Sequence, residues 1–299
     1  MTKMNCKNTH GLNPADPQLN TAFDRRHFMK LSSAIVGASL LPSSLAYAAD
    51  TPSPVGLQLY TLRDMMAVSV SATLKLVSAV GYKEVETAGY FEYSPKEFRK
   101  MLDGEGLRAP SAHVRLDLFD NSLNEVIDTA KEIGHDYVVI PYLTVEQRGT
   151  SIDVYKKLAE KCNLWGEACK KSGLQLAYHN HEFEFEMRDG LLPYDLLLQD
   201  VDADLMAMEM DLYWMAKAKQ DPLAYFKRHP GRFKLWHVKD MDKEGEFANV
   251  GTGVIDFAGI FAHSKLAGLE HKIVERDRTD NVVKTLQQGY KAVSALTNS

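Results

Sequence analysis

The chain has 299 residues, a formal net charge of −5 and an apolar fraction of 45%. This length gives ample room for a large core, and the acidic balance argues against the basic surface of a nucleic-acid enzyme. Only three cysteines are present, so a disulfide-built scaffold is excluded.

The first 48 residues read as an export signal and not as part of the fold. Arg25-Arg26-His27-Phe28-Met29-Lys30 is a twin-arginine pattern, Leu31 to Leu45 is an apolar run broken by small residues, and Ala46-Tyr47-Ala48 is an A-x-A cleavage site. The run is too short and too rich in Ser, Gly and Ala for a stable membrane anchor. An ordinary secretory signal or an uncleaved N-terminal helix is the alternative. The twin-arginine reading makes the export machinery a partner and the mature protein periplasmic or otherwise exported by that route. It leaves one domain, residues 49–299, with 30 basic and 38 acidic residues. Cys6 leaves with the signal. Cys162 and Cys169 lie two helical turns apart, about 10 Å along the axis, too far for a disulfide.

The body alternates strand-like and helix-like segments. Strands are expected at Val55–Tyr60, Lys83–Thr87, Arg108–Val114, Tyr137–Pro141, Leu174–His181, Met206–Leu212, Phe233–Val238 and Lys272–Glu275. Helices are expected at Ser69–Val80, Pro95–Glu105, Leu123–Ile133, Ser151–Ser172, Leu191–Gln199, Pro222–Arg228, Asp256–Ala267 and Val282–Leu296. Ser94 precedes Pro95 as an N-cap, and Gly81, Gly134, Gly173 and Gly268 follow helices as stops. Eight strand-then-helix units in this length predict an α/β (β/α)8 barrel.

Active sites of such barrels lie at the C-terminal ends of the strands. Polar residues sit there on almost every strand: Tyr60, Glu86, His113, His179 with His181, Asp211, His237 with Lys239, and Glu275 with Asp277. Several of these stand two apart from another polar residue, which puts both on one face of a strand. Burying them unpaired in a purely structural core would cost roughly 1–3 kcal/mol each. In Tyr178-His179-Asn180-His181-Glu182-Phe183-Glu184-Phe185, strand alternation puts His179, His181 and Phe183 on one face, with Glu184 solvated on the other. A pair between Lys239 and Asp240 is the structural alternative to a role for Lys239 in catalysis. Six further histidines, His10, His27, His135, His229, His263 and His271, have no strand-end context and no assigned role.

Leu57-Gln-Leu-Tyr-Thr-Leu-Arg63, Tyr178 to Phe185, Met210-Asp-Leu-Tyr-Trp214, His237-Val-Lys-Asp240, Gly251-Thr-Gly-Val-Ile-Asp256 and Ile273-Val-Glu-Arg-Asp277 together resemble the sugar phosphate isomerases/epimerases, which are xylose-isomerase-like TIM barrels. The resemblance spans nearly the whole mature chain and keeps the motif order. It implies one divalent metal, manganese before zinc, cobalt or iron, held by His179, Asp211, His237 and Glu275. It also implies that Glu275 both ligates and faces the substrate. Two positions depart from the pattern. His179 stands where many sugar epimerases carry Glu, which breaks their two-carboxylate arrangement. Lys219 stands in a loop where relatives often have Gly.

The expected chemistry is metal-assisted removal of a sugar α-proton through an enediolate, as in an isomerase or epimerase. Glu275 is the first candidate base, with His113, Lys239 and Glu182 in reserve. Tyr60, Glu86, His181, Phe183, Trp214 and Asp277 are candidate contacts to a small carbohydrate. Glu86 has an ion pair as its alternative role. Export and the lack of a phosphate loop, Gly251-Thr-Gly253 being too short, favour a free sugar, keto-sugar or glycoside. A keto-glycoside lyase or sugar dehydratase is therefore an alternative, since one base suffices for elimination. A metal-dependent phosphodiesterase fits poorly with the acidic charge. A non-catalytic periplasmic sugar-binding protein would keep the barrel without needing the metal set. The outer helices offer surfaces for a homo-oligomer.

Overall fold

A computed structural model describes residues 54–297, so the export segment lies outside the described residues. Eight parallel strands close into a barrel. They are β1 (Val55–Gln58), β2 (Glu84–Thr87), β3 (Arg108–His113), β4 (Tyr137–Ile140), β5 (Gln175–His179), β6 (Met206–Asp211), β7 (Leu235–Val238) and β8 (His271–Val274). Each pairs with its sequence neighbour, and β1 pairs with β8 to close the ring. The (β/α)8 expectation therefore holds.

The strands alternate between two cores. On β6, Met206, Met208 and Met210 pack outward in the large cluster under the helices, whereas Ala207 belongs to a separate inner cluster with Tyr137, Val139, Ala177, Leu235 and Ile273. Glu209 and Asp211 share the parity of Ala207 and so line the barrel interior. The same alternation places His179 above Ala177 and His237 above Leu235. Gly56 makes room on the neighbouring strand: a Cβ there would stand 3.2 Å from Ile273 Cγ1 and 3.3 Å from Lys272 O.

The principal helices are α1 (Val70–Val80), α2 (Pro95–Gly104), α3 (Leu116–Ile133), α4 (Asp153–Lys171), α5 (Pro193–Asp200), α6 (Pro222–Arg228), α7 (Phe257–Phe261) and α8 (Val282–Thr297). Ser94 caps α2 as expected, in a reciprocal capping box with Glu97. Three boundaries differ from the expectation for physical reasons. α3 begins at Leu116 because two helical pieces join across a kink at Ser122. The segment expected as one helix over 256–267 splits after α7, and Ser264–Ala267 forms its own turn. β5 ends at His179, and Phe183–Phe185 forms a 3-10 turn, so simple strand alternation does not extend to His181 and Phe183. An additional hairpin, Asp240–Met241 against Phe247–Ala248, rises between β7 and β8.

Candidate metal centre and active site

Four donor atoms meet at the C-terminal mouth of the barrel. His179 Nε2 lies 3.3 Å from Asp211 Oδ2, which lies 3.9 Å from His237 Nδ1. His237 Nδ1 in turn lies 3.0 Å from Glu275 Oε2. One ligand atom from each residue falls within 4.8 Å of the others, and all four residues are buried. Neighbouring register brings them together: Asp211 pairs with His237 across β6 and β7, and His237 with Ile273 across β7 and β8, so Glu275 arrives two residues later on the same side.

This donor set fits a divalent ion. Two imidazoles and two carboxylates form a mixed N/O site, and each histidine has an outer partner for its second nitrogen, a common arrangement around bound metals. His179 Nδ1 donates to Pro141 O at 3.0 Å, leaving Nε2 for the site. His237 Nε2 lies 2.7 Å from Glu86 Oε2, leaving Nδ1 for the site. Asp211 is fixed as well: its Oδ1 accepts Trp214 N–H at 2.9 Å. Its backbone N–H donates to Asn180 Oδ1 at 3.0 Å, and Asn180 Nδ2 donates to Asp211 O at 3.4 Å. The Asn180 side chain thus extends the bonding to β6 after β5 has ended.

Lys239 enters the same space. Its Nζ lies 2.6 Å from Asp277 Oδ1, 3.2 Å from Glu275 Oε2 and 3.6 Å from Asp211 Oδ2. It also lies over the rings of Tyr213, Trp214 and Phe247 at 5.6, 5.1 and 4.9 Å. Burial disfavours its charge, but Asp277, Glu275 and Asp211 outweigh burial and hold its pKa above the ordinary lysine value. Lys239 is therefore a cation and not a base in this state. Burial likewise opposes the charge on Glu275, yet Lys239 and His237 keep that carboxyl well below its usual range. Asp277 is raised by burial, with Lys239 opposing.

The alternative pair between Lys239 and Asp240 does not form. Asp240 Oδ2 accepts the N–H groups of Gly251 and Gly253 at 2.9 and 2.8 Å, which holds the segment after the hairpin. A Cβ on Gly253 would fall 2.2 Å from Met241 O and 2.3 Å from Asp240 Oδ1, so only glycine fits. Arg276 clamps the other side, donating to Phe247 O and Asn249 Oδ1. The hairpin thereby places Phe247 against Tyr213 and Trp214.

A second polar layer is formed by Glu86, His113, Glu209 and His237. His113 Nε2 lies 2.7 Å from Glu209 Oε2 and 3.1 Å from Glu86 Oε2. Burial and the neighbouring Glu86 charge push Glu209 well above the usual carboxyl range. For Glu86, burial is outweighed by His113 and His237, and its carboxyl is lowered. Glu209 therefore keeps the proton and Glu86 the charge. Burial opposes the His237 imidazolium too, but Glu209, Glu275 and Glu86 hold its pKa well above the ordinary value.

The remaining candidates are distributed around this centre. The His181 ring lies 4.9 Å from that of His179, 5.1 Å from that of Trp214, and stacked on Phe183 at 5.3 Å. Burial, with His179 and Lys239, keeps His181 neutral. Phe183 is only 4% exposed and backs His181 instead of offering an open face. Tyr60 is half-buried under the Arg63 guanidinium, and Arg63 also donates to Asp277 O. Glu182 is half-buried and belongs to neither donor group. Glu184 departs from its expected solvated place: it is fully buried, accepting Tyr178 O–H at 2.7 Å and His181 N–H at 2.8 Å. Glu209, Asn180, Phe247 and Gln58 have no site role in the sequence expectation. Glu209 carried a usable signal, its place two residues before Asp211 on one strand face.

The barrel and its donor set define a (β/α)8 protein with a buried His/Asp/Glu cluster of the kind that could hold a divalent metal. Residues 74–292 match the xylose isomerase-like TIM barrel family, and the chain belongs to it. An inosose dehydratase of Lacticaseibacillus casei is 23% identical over 274 residues, covering 76% of this chain and 89% of that protein. The crystal structure of a sugar phosphate isomerase/epimerase from Parabacteroides distasonis superimposes with a TM-score of 0.73 at 26% identity, covering 86% of this chain and all of that one. A xylose isomerase-like TIM barrel protein from Mycobacterium smegmatis, solved in complex with magnesium, shares the fold at a TM-score of 0.61 and 17% identity, covering 85% of this chain and 99% of its own.

Proposed function

We propose that the protein is a single-metal enzyme that removes the proton α to the carbonyl of a keto-sugar and expels an oxygen leaving group from the β carbon. The observation that carries this reading is the convergence of His179, Asp211, His237 and Glu275 beside the Lys239 cation. A divalent ion there, manganese first and otherwise zinc, cobalt or iron, would polarise the substrate carbonyl and acidify the adjacent C–H. Glu275 takes the proton. The C–H electron pair moves toward the carbonyl as an enolate, with Lys239 placed to balance the developing charge. The enolate then re-forms the carbonyl as a C=C bond forms and the β C–O bond breaks. The leaving oxygen departs with the proton from Glu275 or one from water.

Elimination needs one base, whereas epimerisation needs proton transfer on two faces of a carbon. With His179 at its position on β5, Glu275 is the one glutamate in the quartet, which favours a dehydratase or glycoside lyase. The inosose dehydratase relatives support the same choice. Isomerisation or epimerisation of a sugar is the second reading, favoured by the 26% identical structural neighbour. The twin-arginine segment supports an exported enzyme acting on a free or glycosidic keto-sugar. Among the described residues, no helix is long and apolar enough to cross a membrane.

The test has two stages. Elemental mass spectrometry of the wild type and of His179→Ala should find about one divalent ion per chain, lost in the variant. The loaded wild type, incubated with a keto-glycoside deuterated α to the ketone, should lose that deuterium and release the aglycone. No metal uptake, or metal without loss of the α-deuterium from ketoses or keto-glycosides, overturns the proposal.

A further inference from the structure

We infer that Glu86 is a positioning residue that decides which nitrogen of His237 faces the metal quartet, and that Gln58 holds Glu86 in place for it. The inference rests on the reading of His179, Asp211, His237 and Glu275 as metal ligands. Ligation requires the neutral imidazole, which has one N–H and one lone pair, so in the metal-bound protein the nitrogen that donates outward leaves the other free to ligate. His237 is the one quartet member whose two nitrogens both face carboxylates. Nδ1 looks to Glu275 at 3.0 Å, and Nε2 to Glu86 at 2.7 Å. On the Nε2 side Glu86 Oε2 is the nearer acceptor, with Glu209 Oε2 at 3.4 Å.

The acceptor is fixed by a chain of bonds that begins on β1. Tyr60 N–H donates to Gln58 Oε1 at 2.8 Å, which commits the amide oxygen and turns the amide NH2 toward β2. That group donates to Glu86 Oε2 at 2.6 Å. Gln58 and Glu86 are register partners across β1 and β2, so the contact is set by the barrel itself. The same Glu86 oxygen therefore faces three nitrogens: those of Gln58, His237 and, at 3.1 Å, His113. Glu86 is 0% exposed, so bulk solvent does not reach it.

The same four-residue layer could instead be read as a second metal site, since Glu86, His113, Glu209 and His237 bring their donor atoms close together. Its short contacts favour hydrogen bonding. Two of them measure 2.7 Å, and Glu86 Oε2 already faces the Gln58 amide as well as His237. The two quartet histidines are then held in opposite tautomers by different means, His179 by the Pro141 carbonyl and His237 by a buried carboxylate.

The experiment uses the whole mature chain loaded with zinc. In 15N-histidine-labelled wild type, the His237 signals should show a protonated Nε2 and a metal-shifted Nδ1. Chelator competition should give Glu86→Gln a zinc affinity about 10–100-fold weaker than wild type, with a smaller loss in the same direction for Gln58→Leu. A metal-shifted Nε2 in the wild type overturns the inference even if neither variant folds. So does unchanged zinc affinity in folded Glu86→Gln. Two zinc ions per wild-type chain, falling to one in Glu209→Gln, would make Glu86 a ligand and overturn it as well. A wild type that binds no zinc, manganese or cobalt fails at the earlier step and defeats the metal reading itself.

Discussion

Asn180 and Asp211 exchange two hydrogen bonds, side-chain amide to main-chain N–H and C=O, where the ladder between β5 and β6 has already ended. This pairing delivers Asp211 to the quartet with its backbone fixed. Asn180→Ala should cost about 1–3 kcal/mol of stability, because a buried N–H and C=O lose their partner. It should also weaken metal binding about tenfold or more, the scale seen when outer partners of a ligand are removed. Thermal melts of the metal-free protein and zinc titration of the folded variant separate the two effects. A stability loss with unchanged zinc affinity would show that Asp211 does not depend on Asn180.

Glu184 makes stability depend on pH in an identifiable direction. Burial raises its carboxyl from 4.5 to about 7, against the opposing bonds from Tyr178 and His181. A raised carboxyl means that the native state holds the proton over a window in which the unfolded chain has released it. Stability then falls as pH rises from about 4.5 to about 7 and levels off above, by about 3 kcal/mol in total at 1.36 kcal/mol per tenfold change. Glu184→Gln keeps the shape and cannot titrate. Subtracting its melting profile from that of the wild type should isolate this slope, and parallel profiles would refute it.

The sites that could be read from the sequence were those where strand parity and strand end coincide. His179, Asp211, His237 and Glu275 lie at or beside strand ends on the inner face, where parity groups them with other polar residues and the family resemblance marks them as the ligand set. Glu209 obeyed the same rule beside Asp211 but stood inside a methionine-rich strand and drew no attention. Glu184 was misplaced because Glu182, Glu184 and Glu186 alternate like a solvated edge. Its burial comes from a turn that folds it back on Tyr178, a contact that periodicity does not encode. Asp240 likewise bonds residues 11 and 13 positions away, and nothing local distinguishes that from an ion pair with Lys239.

Lys219 occupies a left-handed backbone position, φ 57°, where a glycine would be free of side-chain crowding. It sits one residue beyond the C-cap of the Leu212–Lys217 helix. Lys219 N–H bonds Ala216 O, and Gln220 N–H bonds Met215 O, the paired bonds of a Schellman stop. The loop therefore keeps the turn that glycine would give, with Lys219 carrying the strain. Lys219→Gly should raise stability by about 0.5–1 kcal/mol, the strain relief being partly offset by a freer unfolded chain. Lys219→Ala should give no such gain. Equal melting temperatures for the two variants would show that the position is unstrained.

Lys239 is the sharpest test of chemistry against architecture. As a buried cation touching Asp277, Glu275 and Asp211, it neutralises a concentration of negative charge, and its loss should destabilise the metal-free protein by about 3–5 kcal/mol. A dication in the quartet would share two of those carboxylates with it, so the two positive charges compete. Lys239→Met should therefore bind zinc or manganese at least as tightly as the wild type, and the metal should recover much of the lost stability. If Lys239 also balances the enolate charge, turnover per metal-loaded chain should fall about 100–1,000-fold. Stability, affinity and turnover are read separately by melting, chelator competition and loss of the α-deuterium on the loaded fraction. Full loss by a loaded Lys239→Met enzyme would confine this lysine to holding the carboxylates together and would remove it from the reaction.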